Sequence, residues 1–124
     1  MRPVEPAETL ARFLYSKNHY RPSDHTVRHS AFIPPENKRL SVFRVFNLQE
    51  NEIWNLGDTL RAEPPLGRAD LRALAATETG LTIEADDNPP RHANIIGWPN
   101  ESSGIKLKAM ILAEKASLRL KQDK

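Results

Sequence analysis

Residues 39–46 (RLSVFRVF) limit the possible folds of this chain more than any other segment. In an extended strand these side chains alternate between two faces, and both faces then contain apolar groups. A strand with two apolar faces has to be covered on both sides, which predicts a central position in a sheet. A chain of 124 residues is the size of one domain and is long enough to build such a core.

Four further segments have the composition of extended structure. Residues 10–15 (LARFLY) predict a first strand, with a helical turn as the alternative, and residues 27–33 (VRHSAFI) predict a second, which Pro-Pro ends. Residues 81–85 (LTIEA) alternate like a half-buried strand, and residues 91–96 (RHANII) predict the last strand. The polar segment between the first two strands, residues 16–26, predicts a loop.

Three segments have helical patterns. Asn47 and Glu50 have the spacing of a capping box, which predicts a helix that ends near Leu56, with Gly57 as its C′ residue. Residues 68–77 (RADLRALAAT) are rich in helix formers. Residues 103–121 predict the longest helix, near the end of the chain.

The predicted C-terminal helix has two apolar stripes. The wider stripe consists of Ile105, Ala109, Leu112, Ala113, Ala116 and Leu120. Leu107, Ile111 and Leu118 form a narrower stripe on nearly the opposite side. A helix with two apolar faces is usually buried on both, either by its own domain or by a partner.

These elements predict an α+β fold with a single small domain over residues 1–124. We expect a mainly antiparallel or mixed sheet of about four to five strands, about three helices packed on one face, and a long C-terminal helix. Residues 1–9 are expected to be a flexible N-terminal arm, and residues 122–124 a frayed tail.

Composition excludes several kinds of chemistry and compartment. The chain has no cysteine, so disulfides, thiolate metal sites and a cysteine nucleophile are excluded. The first residues lack the apolar region of a secretory signal, and eighteen apolar residues never occur in succession. We therefore expect a cytoplasmic protein that is not associated with a membrane, leaving open that a longer precursor was trimmed.

Charge is distributed unevenly along the chain, although the net charge is only +2. Residues 1–47 and 100–124 are basic, and residues 48–99 are acidic. Weak nucleic-acid binding through the basic ends is a third hypothesis. It ranks behind the others because proteins that bind nucleic acid usually show a denser cluster of basic residues.

Two short segments of the sequence resemble each other. Arg28-His29 and Arg91-His92 each precede a small residue and, after two more residues, an isoleucine. If the two predicted strands were neighbours, both pairs would meet, with arginines as phosphate ligands and His29 and His92 as catalytic candidates. This arrangement would suit a nucleotide- or phosphate-binding enzyme. The alternative is that the histidines cap strands and the arginines cover apolar surface.

A metal site is a weaker possibility. Asp24, His25 and His29 have a spacing that allows zinc or a similar ion, but surface histidines near an acid are common. We predict no metal and no cofactor.

The leading functional hypothesis is a small interaction or accessory module without catalytic activity. The candidate contacts with a protein partner or a second copy are Trp98, Leu107, Ile111 and Leu118. No complete set of catalytic residues occurs at a diagnostic spacing, which favours a binding role over an enzyme.

Overall fold

A six-stranded antiparallel sheet is the frame of the structure, a computed structural model that describes residues 2–121. The strands along the chain are β1 (Thr9–Leu14), β2 (Tyr20–Arg21), β3 (Thr26–Val27), β4 (Leu40–Arg44), β5 (Gly67–Arg72), β6 (Thr82–Ala85), β7 (His92–Ile96) and β8 (Ser117–Leu120). The sheet order is β6-β7-β4-β1-β5-β8, and β2 and β3 form a separate hairpin. The helices are α1 (Glu50–Asp58), α2 (Ala73–Thr77) and α3 (Ser102–Lys115), with 3₁₀ helices at Lys17–His19 and His29–Phe32.

The main core lies on one face of this sheet. Leu40 and Val42 of β4 point into it, and β4 lies between β7 and β1, which confirms its predicted central position. Leu112 of α3 and Phe32 of the second 3₁₀ helix are fully buried in the same core. The α+β class predicted from the sequence is therefore correct.

The opposite face is covered by α1. Ile53 of α1 packs in a second, smaller core with Ala11, Phe13 and Phe43 of the sheet. The prediction that the helices share one face is wrong, because α1 and α3 pack on opposite sides. Because both faces of β4 are apolar, each face has to be covered by a helix or another packed segment.

Residues 68–77 were predicted as one helix, but the first five of them belong to β5 and only the last five form a helix, α2. Ala69 and Leu71 enter the main core, while Arg68 and Asp70 point to the other face and form an ion pair at 2.9 Å. Arg68 also lies 2.9 Å from Glu50 of α1. Because successive side chains find partners on alternate faces of the sheet, this part of the segment is a strand in spite of its helix propensity, and only the short α2 is helical.

The predicted C-terminal helix ends earlier than expected. Its helical part stops at Lys115, and β8 follows as an edge strand paired with β5. Leu118 and Leu120 are buried in β8, whereas Ser117 and Arg119 between them are exposed. β7 is consequently not the last strand, and the sheet has six strands rather than four or five because it gains β5 and β8.

The segment predicted as the second strand is mostly not extended. Only Thr26–Val27 pair, with Tyr20–Arg21, so residues 16–26 contain a hairpin as well as a 3₁₀ helix. Residues 29–32 then form a 3₁₀ helix that buries Ala31 and Phe32. Burial of these two neighbouring side chains in one core is incompatible with an extended strand, whose neighbours point to opposite faces.

The helix α1 begins two residues later than predicted. Its capping box consists of Gln49 and Glu52, not of Asn47 and Glu50. Gly57 lies inside the helix rather than after it, and a Cβ at this position would meet the Phe13 ring at 2.6 Å. Close packing against the sheet therefore explains this glycine.

Residues 2–8, for which we predicted a flexible arm, lie against the sheet. The Glu8 carboxylate is buried and pairs with Arg44, and the carbonyls of Arg2 and Pro3 also accept from Arg44. The predicted frayed tail at residues 122–124 lies outside the described residues. Within residues 2–121, no helix is long and apolar enough to cross a membrane.

Candidate functional site

Ser41, His92 and Asp86 form a continuous chain of hydrogen bonds on the sheet face that α1 covers in part. The distance from Ser41 Oγ to His92 Nε2 is 2.8 Å, and that from His92 Nδ1 to Asp86 Oδ1 is 2.7 Å. Asp86 Oδ2 accepts a further hydrogen bond from Asn94 Nδ2 at 3.2 Å. The carboxylate is therefore fixed through both of its oxygens.

The pairing of β4 with β7 produces this chain. Phe43 lies opposite His92, and Ser41 lies opposite Asn94, so all four side chains point to one face. The His92 ring stands edge-on to Phe43, with ring centroids 5.3 Å apart. The turn between β6 and β7 begins at Asp86, whose amide donates to the His92 carbonyl at 3.2 Å.

The hydrogen bonds determine which groups carry protons. Desolvation acts to raise the pKa of Asp86, but hydrogen bonds from His92, from the Asn88 amide and from Asn94 hold this pKa below its ordinary value. The carboxylate is then ionised at neutral pH and can only accept, so His92 Nδ1 is the donor of the hydrogen bond between them. In the imidazole tautomer with its proton on Nδ1, Nε2 is the acceptor for the Ser41 hydroxyl.

A cleft of about 250 Å³ opens beside this chain. The lining residues that matter chemically are Ser41, His92, Arg12, Arg61, Tyr15 and Leu60. The Ser41 hydroxyl and the imidazole thus adjoin a space that a small molecule can enter.

Arg12 enters this cleft where β1 and β4 separate. The two strands pair at Leu10 with Arg44 and at Ala11 with Phe43. Next along β1, the Arg12 guanidinium donates to the Ala31 carbonyl at 3.0 Å and to the Ser41 carbonyl at 2.9 Å. Both acceptors are neutral, so these bonds fix the guanidinium without cancelling its charge.

Arg61 supplies a second positive charge. It lies in the segment that follows α1, and its guanidinium stacks over the Tyr15 ring at 4.1 Å from the centroid. The Tyr15 hydroxyl donates to the Gly57 carbonyl at 3.3 Å, which fixes the ring. The described residues that line the cleft include two arginines and no aspartate or glutamate.

Burial, and after it the positive charge of the arginines, lowers the pKa values of two groups at or near the cleft. Burial and the charge of Arg61 lower the pKa of Arg12 to about 10, although Tyr15 acts in the opposite direction. Burial, together with the charges of Arg12 and Arg61, lowers the pKa of His19. An anion in the cleft would offset these unfavourable interactions between positive groups.

The two Arg-His pairs do not share a cleft. Arg28 and His29 line a separate cleft of about 410 Å³ beside α3. His92 alone of these four residues lines the cleft at Ser41. The predicted strand entrance at His29 is instead the start of a 3₁₀ helix, and for this reason the two pairs do not converge.

Arg91 holds two backbone segments together through its guanidinium group. Its guanidinium donates to the carbonyls of Arg44 at 3.0 Å and of Phe46 at 2.9 Å, and it lies 4.8 Å from the Phe46 ring centroid. These contacts tie the turn before β7 to the end of β4.

The candidate metal ligands lie near one another but do not form a site. Asp24, His25 and His29 line the cleft beside α3, and Asp24 accepts from the Thr26 hydroxyl at 2.8 Å. Across residues 2–121, no group of three or more His, Asp or Glu side chains is arranged to hold a metal ion.

The candidate partner residues are divided between the interior and the surface. Trp98 is buried, and its Nε1 donates to the Ile95 carbonyl at 2.9 Å. Leu118 is buried in β8, so the predicted stripe with Leu107 and Ile111 does not exist as one surface. Leu107 is exposed on α3, and Ile111 is half-buried. Partner binding by these side chains stays a prediction.

Most of the residues that line the cleft were not predicted from the sequence. Ser41 enters the prediction only as part of the strand at residues 39–46, and Arg12 and Tyr15 only as part of the strand at residues 10–15. Asp86 and Arg61 are not among the candidate residues. Ser41 and His92 are 51 residues apart in the chain. The two-residue alternation of both strands does place these side chains on one face once β4 is paired with β7, but the sequence does not specify that pairing.

Comparisons with models of protein families, with curated proteins and with solved structures found no match to this chain.

Proposed function

We propose that this protein binds a small anionic ligand, one that carries a phosphate or carboxylate group, in the cleft between Arg12 and Arg61. One observation carries the proposal: two arginines line the same cleft, and none of the described lining residues is acidic. The proposal retains the phosphate-binding hypothesis from the sequence but assigns different arginines to it.

The chemistry of the lining favours such a ligand. Guanidinium groups bind phosphate and carboxylate oxygens through paired hydrogen bonds, and the binding is stronger where water is partly excluded. Arg12 is held in place by two carbonyls before any ligand arrives, which reduces the entropy lost on binding. Phe13 and Leu60 supply apolar contacts for the body of the ligand.

The size of the cleft also constrains the ligand. Its volume of about 250 Å³ lies just below the range of about 300–1,000 Å³ typical of ligand pockets. A compact anion with an aromatic or aliphatic body fits this space better than a dinucleotide does.

Thermal unfolding with model anions tests the proposal. Phenyl phosphate and benzoate should raise Tm, and the neutral analogue benzyl alcohol should not. A ligand at 100 times its Kd stabilises the folded state by about 2.7 kcal/mol. Substitution of Arg61 by alanine should abolish most of the shift, because it removes one of the two positive charges.

Arg28→Ala is the matched control, since Arg28 is an exposed arginine in a different cleft. It should bind phenyl phosphate as the wild type does. Equal loss of binding in the two variants, or no shift with any anion, would contradict the proposal.

A protein-interaction function is the second candidate, and the exposed apolar side chains of α3 support it. Leu107 is 60% exposed, and Met110, one helical turn further on, is 48% exposed. Light scattering on wild type and Leu107→Glu tests whether the partner is a second copy. A self-associating wild type should exceed 14.1 kDa at high concentration, and the variant should not. A 14.1 kDa monomer in both would argue against it.

A further inference from the structure

We infer that Ser41 is a nucleophile activated by His92 and Asp86, and that the cleft hydrolyses esters of small carboxylic acids. This inference goes beyond anion binding, since it concerns bond cleavage. It is based on the hydrogen-bond chain, whereas the binding proposal is based on Arg12 and Arg61.

The geometry meets the requirements for activating a serine. The Ser41 hydroxyl lies within hydrogen-bond distance of an imidazole nitrogen, at 2.8 Å, and the other nitrogen is held at 2.7 Å by a carboxylate. The carboxylate fixes the tautomer that leaves Nε2 free to accept a proton. Asn94 and the Asn88 amide fix the carboxylate in turn, so each member of the chain is oriented by the next.

The cleft also supplies positive charge for the reaction. Attack on an ester carbonyl places negative charge on the carbonyl oxygen, and cations close to that oxygen lower the barrier. Arg12 donates to the backbone carbonyl of Ser41, the residue that supplies the nucleophile. Arg61 lines the same cleft.

The reaction is complete with water as the only co-reactant. The Ser41 oxygen forms a bond to the acyl carbon while its proton passes to His92 Nε2, and the C–O bond to the leaving alcohol breaks as that alcohol takes the proton from Nε2. Water then attacks the acyl-serine ester, giving one proton to Nε2. The acid departs when the bond from its acyl carbon to Ser41 breaks and the serine oxygen takes the proton back.

The substrate class follows from combining the proposed anion site at Arg12 and Arg61 with the nucleophile Ser41. An ester whose acyl group bears a carboxylate would place its anionic end at Arg61 and its carbonyl at Ser41. This preference rests on the proposed binding function, but the nucleophile does not.

Labelling with an alkyl fluorophosphonate tests the nucleophile, because this reagent phosphonylates an activated serine and releases fluoride. Mass spectrometry of the intact protein and its peptides should locate the label on Ser41. His92→Gln removes the proton acceptor and should slow labelling at least about 100-fold. Asp86→Asn, in an exposed turn, should also slow it strongly.

Ser117→Ala is the matched control, since Ser117 is an exposed serine of the same sheet. It should label at the wild-type rate. Melting curves will establish whether each variant is folded. If His92→Gln is unfolded, the folded Asp86→Asn variant provides the comparison. An unlabelled Ser41 in the folded wild type, or undiminished labelling in a folded His92 or Asp86 variant, would overturn the inference.

Hydrolysis of two esters separates the nucleophile from the anion site. The protein should cleave p-nitrophenyl succinate, which bears a carboxylate, at least about tenfold faster than p-nitrophenyl acetate, and Arg61→Ala should reduce this ratio towards one. Equal rates with a labelled Ser41 would support the nucleophile and contradict the anion preference. Phosphate binding without labelling would contradict only the nucleophile.

Discussion

At the residue scale, the charged side chains of this sheet differ in whether an opposite charge compensates them. Arg44 is buried and paired with Glu8, with distances of 2.5 and 3.0 Å between their polar atoms. Arg12 and Arg61 have no such partner among the described cleft residues. A buried arginine that is paired stabilises the fold only while its partner is present, whereas an unpaired one at a cleft is available to a ligand.

The Glu8–Arg44 pair leads to a stability prediction. Glu8→Ala leaves the Arg44 guanidinium buried without a counter-charge, which typically costs about 3 to 5 kcal/mol. Urea unfolding measures this loss. The control is Glu84→Ala, because Glu84 pairs with Arg39 at the surface and such pairs contribute about 1 kcal/mol at most. Equal effects of the two substitutions would show that residues 2–8 are not packed as described.

At the element scale, local patterns are informative where they agree with long-range pairing and misleading where they do not. The strong alternation in β4 and β6 was sufficient to predict both strands. Residues 68–77 have high helix propensity, yet burial of Ala69 and Leu71 in the sheet beside β1 and β8 makes residues 68–72 a strand, and only residues 73–77 are helical. The alternating pattern SLRL of β8 was assigned to the predicted C-terminal helix, because it directly follows α3 with Ala116 as the single intervening residue.

The boundary between α3 and β8 can be tested with two matched substitutions. Leu118→Glu places a charge in the core and removes a packed side chain, so it should destabilise the fold by at least about 3 kcal/mol. Leu107→Glu changes an exposed position on α3 and should alter stability by no more than about 0.5 kcal/mol. Similar effects in urea unfolding would favour the continuous two-faced helix that the sequence pattern predicts.

At the scale of the whole molecule, the fold class and the central strand could be predicted from local patterns, but the cleft could not. Tyr15 directly follows β1 and Arg61 lies in the segment after α1, so two distant parts of the chain meet at this contact. Ser41 and His92 meet through the register of β4 with β7. Such contacts depend on how distant elements pair, and no local propensity specifies that pairing.

The ionisation of several carboxylates predicts how stability depends on pH. Burial acts to raise the pKa of Glu8, but hydrogen bonds and the charges of Arg44 and Arg2 hold it below 4.5 in the folded state. A lowered folded pKa gives stability that is present above the unfolded pKa and is lost as pH falls through the folded value. The pKa values of Glu50 and Asp86 are lowered as well, so the stability that these three carboxylates contribute should fall as pH drops below about 4.5. Burial raises the pKa of Asp70, which therefore has the opposite dependence on pH.

Urea unfolding between pH 7 and pH 3 measures this dependence. Glu8→Gln cannot ionise, so the difference in stability between wild type and this variant should shrink as pH falls below about 4.5. A difference that stays constant over the whole range would show that the Glu8 carboxylate has no special stabilisation in the folded protein.

If Arg12 and Arg61 together form an anion site, NMR titration of the arginine side chains will detect the ligand at both residues. On addition of phenyl phosphate, the Nε–Hε resonances of Arg12 and Arg61 should shift together and saturate with one Kd, while those of Arg28 and Arg39 stay in place. Shifts of all exposed arginines in proportion to ionic strength, with no saturation at Arg12 and Arg61, would show that these two residues do not form an anion site.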